Sequence, residues 1–267
     1  MFFKTIYRQI VVLILFVASI AGCNSIQSET TISSTPTISE TRPILPTSSI
    51  VPVDTPHQSS TAFDISDYAF PDSIDSTKQY LFYLHGKIIE DQGIPAISPD
   101  FGEYEYGSIL EKLGRYGFVV LSEQRPKNTD GVEYASKITE QVTTLLNAGV
   151  PAKNITIVGA SKGAGIATFV SHLLENKEIN FVLMAGCNPD TVEEFRQNQI
   201  FLYGNVLSIY DSTDELAGSC QELFSFSAGK GISRYDEVIL NVGTGHGILY
   251  KPLDEWITPT VQWAREP

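Results

Sequence analysis

The sequence predicts an α/β fold, a mostly parallel sheet with helices on both faces. Two observations carry that expectation. Short apolar runs of strand length alternate with longer stretches of helical spacing, the order that produces parallel sheets covered on both sides. Glycines, serines, histidines and acidic residues gather just after those runs, at the sheet edge where such folds bind ligands.

Tyr80 to Leu84 is the first apolar run and ends in His85-Gly86-Lys87. Ile109, Leu110 and Leu113 give Tyr106 to Tyr116 helical spacing. Gly117 to Leu121 reads as a second strand, followed by Ser122, Glu123, Gln124, Arg125 and Pro126. Val132 to Ala148 reads as a helix stopped by Gly149 and Pro151. Ile155 to Val158 is a β-branched strand that meets Gly159-Ala-Ser-Lys-Gly163, after which a helix-compatible stretch runs to Leu174. Asn180 to Ala185, Val206 to Tyr210 and Glu237 to Val242 complete the expected strands. Helices are expected at Thr191 to Asn198 and Leu253 to Ala264.

Strand, G-x-S-x-G and helix in that order form the context of a nucleophile elbow, a sharp turn that lifts Ser161 Oγ out of the sheet edge. Gly159 and Gly163 leave room where strand and helix crowd together. With these residues the chain resembles the α/β-hydrolase family over roughly residues 78 to 267. The resemblance implies a three-layer sandwich and a Ser, acid, His order of catalytic groups. It places the general base at His246, in Gly243-Thr-Gly-His-Gly247 directly after the last strand. The acid belongs on the loop after Val206 to Tyr210, where Asp214 is favoured and Asp211 is the alternative. His85-Gly86-Lys87 resembles the segment that supplies one oxyanion donor, so the donors implied are the backbone N–H groups of Lys87 and Lys162. The family's longer glycine-rich version of that segment is missing here.

A rival reading fits the same loop. Gly159, Gly163 and Gly165 have the spacing of a short-chain dehydrogenase cofactor loop. It is disfavoured because the loop comes late in the chain and no acidic residue closes the run Phe181 to Ala185. No Tyr-x-x-x-Lys pair follows either. No cofactor and no metal are therefore expected. Glu90, Glu123 and Arg125 lie near the strand ends and admit two readings, internal ion pairing or contact with a polar substrate. His85 and His172 are expected to brace or pack rather than react.

Lys4 and Arg8 precede an apolar stretch from Ile10 to Ile20, and Ile20-Ala-Gly-Cys23 follows. A basic start, a short apolar core and small residues form a secretory signal over residues 1–22. The stretch is shorter than the roughly 20 residues that span a bilayer. The small residues before Cys23 resemble a bacterial lipobox. That resemblance implies cleavage before Cys23, acylation of its thiol, such as with palmitate, and anchorage to a bacterial cell membrane outside the cytoplasm. Residues 23–62 are rich in Ser, Thr and Pro and read as a disordered tether that includes an inert His57. Residues 63–267 form the expected hydrolase domain.

The chain carries a formal charge of −13, and loss of the two basic residues of the signal would take it near −15. Such an acidic surface argues against nucleic acid and against charge-driven adhesion to anionic lipid. Cys187 and Cys220 both fall at the same sheet edge, and a disulfide or two buried thiols are equally compatible with that placement. The interval Asn188 to Gly204 leaves room for a helix but for no large cap domain. The expected activity is that of a serine hydrolase acting on a small ester or thioester through an acyl-enzyme. A surface lipoprotein that binds without turnover is the alternative. The sequence leaves the oligomeric state open.

Overall fold

Six apolar or half-apolar segments line up side by side in the computed structural model, which describes residues 63–266. The elements in chain order are β1 (Tyr80–Leu84), α1 (Lys87–Gln92), β2 (Ile97–Ser98), β3 (Gly102–Glu103), α2 (Tyr106–Arg115), β4 (Val119–Leu121) and α3 (Gly131–Asn147). Then follow β5 (Ile155–Ala160), α4 (Lys162–Leu174), β6 (Asn180–Met184), α5 (Pro189–Gln197), β7 (Tyr203–Asp211), α6 (Gln221–Ser227), β8 (Gly231–Leu240) and α7 (Asp254–Arg265). The main sheet has the order β4-β1-β5-β6-β7-β8, and every neighbouring pair is parallel. β2 and β3 form a separate antiparallel hairpin. The expected signal peptide, Cys23 and the tether lie outside the described residues, as does His57.

Burial explains which runs became central. All residues of β1, β5 and β6 are buried, because parallel strands covered by helices have no wet face. Leu81 and Tyr83 face a cluster with Ile109, Leu110 and Leu113 of α2 and with Trp256, Ile257 and Val261 of α7. Tyr80, Phe82 and Leu84 face the opposite cluster, with Ile138, Val142 and Leu145 of α3 and Ile166 and Val170 of α4. The result is the three-layer, α/β-hydrolase-like architecture. Only α5 stands between β6 and β7, so no large cap domain is inserted there.

The caps follow local chemistry. Asp130 accepts hydrogen bonds from the amides of Val132 and Glu133 at the start of α3. Asn188 accepts from Thr191 N ahead of α5, whose first residue is Pro189.

The last strand and two short helices depart from the sequence reading. β8 begins at Gly231 rather than Glu237 and ends at Leu240. It carries Ser233, Arg234, Asp236 and Glu237 because it is an edge strand with a wet side, so it lacks a continuous apolar run. α1 and α6 were not expected, being too short to show helical periodicity. Cys187 and Cys220 form a disulfide, which ties the loop after β6 to the residue preceding α6. Replacing both cysteines with alanine is expected to lower the unfolding free energy by about 2–4 kcal/mol, since the bond closes a sizeable loop. Urea titration would read this as a shift in midpoint.

Candidate active site

The chain runs from β1 outward to β4 and then back past β1 to β5, and the remaining strands continue in the other direction. The order therefore reverses between β1 and β5. Ligand crevices of open α/β sheets form at such a reversal, outside the carboxyl ends of the strands. Here those ends carry His85-Gly86-Lys87 and Ser161.

Ser161 sits between β5 and α4 with φ 52° and ψ −117°, a conformation that a side-chain-bearing residue adopts only under surrounding constraint. The constraint is crowding. A Cβ on Gly159 would overlap the Gly163 carbonyl, and one on Gly163 would overlap the Leu84 carbonyl oxygen. Both glycines of G-x-S-x-G are thus required by close backbone approach. A Cβ on Gly165 would meet nothing within 4 Å, so the third glycine of the dehydrogenase spacing has no such packing role. The Ser161 amide is fixed by a 2.9 Å bond to Met184 O of the neighbouring strand.

His246 lies on a 3₁₀ turn, Gly245–Tyr250, beyond β8. Its Nδ1 is 2.8 Å from Asp214 Oδ2. The Asp214 side chain is buried, and its other oxygen accepts bonds of 2.8 and 3.2 Å from the amides of Leu216 and Ala217. With Nδ1–H donated to the carboxylate, Nε2 is the imidazole nitrogen left to act as a base. Asp211, the alternative acid, is turned to a different task. It accepts from Thr213 N and Oγ1 and from the amides of Val242 and Gly243, tying the ends of β7 and β8 together. Burial pushes its pKa up, but these donors outweigh burial and hold it below the usual carboxylate range.

Ser161 and His246 line one cavity of about 410 Å³. Among the described residues the serine hydroxyl and the imidazole are not hydrogen bonded; such contacts tighten when substrate is bound. Ile166, Phe169, Phe195 and Leu216 give the cavity apolar walls, and Asn188, Thr191 and Glu194 give it a polar side. None of these wall residues was singled out from sequence. Phe169 and Phe195 occupy helix positions that the sequence does not distinguish from ordinary core positions.

Lys87 and Lys162 are the first residues of α1 and α4, so their amides have no acceptor within their own helices. A Cβ placed on Gly86 would lie 3.7 Å from Ser161 Cβ, which puts the His85-Gly86-Lys87 segment beside the serine.

The other charged candidates do not reach the cavity. Arg125 and Glu90 have side chains 0% and 1% exposed, and Arg125 Nε lies 2.6 Å from Glu90 Oε1. Substrate contact by either is corrected to internal ion pairing. Glu123 is held by Lys137 at 2.5 Å and borders a second cavity of about 360 Å³, with Tyr68, Phe70 and Tyr134. His172 is half-buried and accepts a 3.3 Å bond from Phe201 N. Among the described residues no group of His, Cys, Asp and Glu is arranged to hold a metal, and no helix is long and apolar enough to cross a membrane.

The fold is α/β-hydrolase-like, with Ser161 on a sharp strand-to-helix turn at its switch point. No protein-family model matches the sequence, and comparison with curated proteins finds no match. Among solved structures, Arabidopsis thaliana SOBER1 superposes with a TM-score of 0.47 at 10% identity, covering 70% of this chain and 98% of its own. A CIB-like hydrolase of Thermoplasma acidophilum gives 0.48 at 17%, covering 71% and 87%. A Pyrobaculum calidifontis esterase gives 0.45 at 17%, covering 70% and 75%.

Burial, reinforced by the Arg125 charge, lowers the His85 pKa to about 3. The unfolded chain would protonate it near 6.5 and so binds more protons than the native state below that pH. Stability is therefore expected to fall as pH drops from about 6.5 towards 5, before carboxylates titrate. Melting temperatures across that window should decline less in His85→Gln than in the parent; equal slopes would assign the loss elsewhere.

Proposed function

We propose that this protein is a serine hydrolase that cleaves an ester or thioester through an acyl-enzyme. The observation that carries the reading is the elbow serine sharing a cavity with an imidazole whose Nδ1 is held by a buried, twice-capped carboxylate.

In this reading Ser161 Oγ attacks the substrate carbonyl while His246 Nε2 takes its proton. Asp214 keeps the imidazole in the productive tautomer and stabilises the imidazolium. The carbonyl oxygen, now carrying the negative charge, faces the Lys87 and Lys162 amides. Collapse of the tetrahedral species expels the alcohol or thiol, which receives the proton from His246. Water, deprotonated by the same nitrogen, then releases the acid and restores Ser161. The apolar walls of the cavity suit a short acyl or alcohol group, and its open, uncapped setting favours a small or exposed substrate. Export and acylation at Cys23 would hold this domain at a membrane surface by lipid rather than by charge.

Hydrolysis of p-nitrophenyl esters of graded chain length is the direct test. Ser161→Ala should lose the activity to background, and Asp214→Asn should lower kcat by about 10⁴-fold. Asp211→Asn should chiefly lower stability, because it binds backbone rather than the imidazole. A folded protein whose Ser161 is not labelled by a fluorophosphonate and which hydrolyses no ester would overturn the reading in favour of a binding role.

A further inference from the structure

The acyl-enzyme reading leaves unused two charged side chains buried behind the elbow, Glu90 and Arg125. Arg125, in the loop after β4, is fully buried, with Nη1 unpartnered among the described residues. Removing such charges from water is costly and is offset only by close pairing. Their placement makes sense through what they hold.

Glu90, on α1, uses its two oxygens for two different loops. Oε1 receives Arg125 Nε at 2.6 Å, and Oε2 receives Lys162 Nζ at 2.6 Å. Lys162 is the residue after Ser161, and its ammonium also binds Thr129 O at 2.7 Å. One carboxylate therefore bridges the helix that begins at Lys87 to the elbow itself.

Arg125 extends the network to the peptide that carries the first oxyanion donor. Its Nη2 donates to His85 O, and its backbone N donates to His85 Nε2 at 3.0 Å. Because Nε2 must accept, the ring proton sits on Nδ1, which donates to Gly86 O at 2.8 Å. In a planar trans peptide the carbonyl and the N–H point in opposite directions. Holding Gly86 O by the imidazole thus fixes where the Lys87 N–H points.

We propose that Glu90 is a positioning residue for the oxyanion site: by clamping Arg125 and Lys162 it fixes the directions of the Lys87 and Lys162 amides relative to Ser161. This rests on the acyl-enzyme reading.

The test compares the full chain with Glu90→Gln, Lys162→Met and Lys162→Arg. Loosening the clamp should lower kcat roughly 10- to 100-fold with KM little changed, since small misplacements of preorganised donors cost about that much. Binding of a trifluoromethyl ketone, which presents an oxyanion once attacked, should weaken in proportion. Lys162→Arg, which keeps the cation, should recover most of the loss. If Glu90→Gln does not fold, the two Lys162 variants decide the matter, because that side chain is partly exposed and its loss leaves the Arg125–Glu90 pair intact. Lowered melting temperatures with unchanged kcat and ketone affinity would overturn the proposal and leave the clamp a purely structural feature. Failure of the parent protein to react with a fluorophosphonate at Ser161 would instead overturn the acyl-enzyme reading, and the positioning role with it.

Discussion

The approach of the Gly163 backbone to the Leu84 and His85 carbonyls sets the geometry of everything at the sheet edge. Only a residue without Cβ allows α4 to start that close to the end of β1. The closeness goes with a positive φ at Ser161 and brings the segment at Gly86 against the serine. It also brings the starts of α1 and α4, whose first amides lack helical acceptors, to the same sheet edge. Strain at one residue, local crowding and the candidate oxyanion site are thus consequences of one packing contact between two adjacent parallel strands and a helix.

Behind that edge the structure keeps charge where an apolar core would be simpler. The buried Glu90–Arg125 pair is weak evidence for stability, since desolvation offsets most of the attraction. Its geometry is more informative than its energy. Each member donates to or accepts from a different loop, so the loops after β1, β4 and β5 share one hydrogen-bonded node. His85 belongs to this node as a neutral ring with a defined tautomer, and burial is the main reason it stays neutral.

The central strands and the elbow are legible because each rests on a local signal, whereas the strand-end places of Asp214 and His246 come from the family resemblance. A continuous apolar run marks a strand buried on both faces, and glycines around a serine mark the turn. β8 and α6 were hidden for the opposite reason. β8 is half-solvated and mixes charges into its sequence, and α6 spans only two turns. Arg125 and Glu90 show a different limit. Charged residues after a strand look alike in sequence whether they face substrate or core, and what decides it is the pairing of Arg125 with Glu90 under the Tyr134 ring of α3. The cysteine pair was open on the same ground, because spacing along the chain does not report distance across it.

Asp211 and Asp214 are chemically identical and three residues apart, yet their surroundings assign them different work. Asp211 ends β7, where the adjacent strand end presents the amides of Val242 and Gly243; a carboxylate there closes two loops and has no oxygen left over. Asp214 lies past the turn that Asp211 builds. Its backbone N donates to Asp211 O, and its Oδ1 is taken up by its own loop, which leaves Oδ2 for the imidazole. The first aspartate shapes the platform on which the second meets His246. Removing Asp211 would therefore disturb the candidate triad indirectly, by loosening the loop, whereas removing Asp214 would act on the imidazole itself. That separation follows from hydrogen-bond supply at the end of a strand.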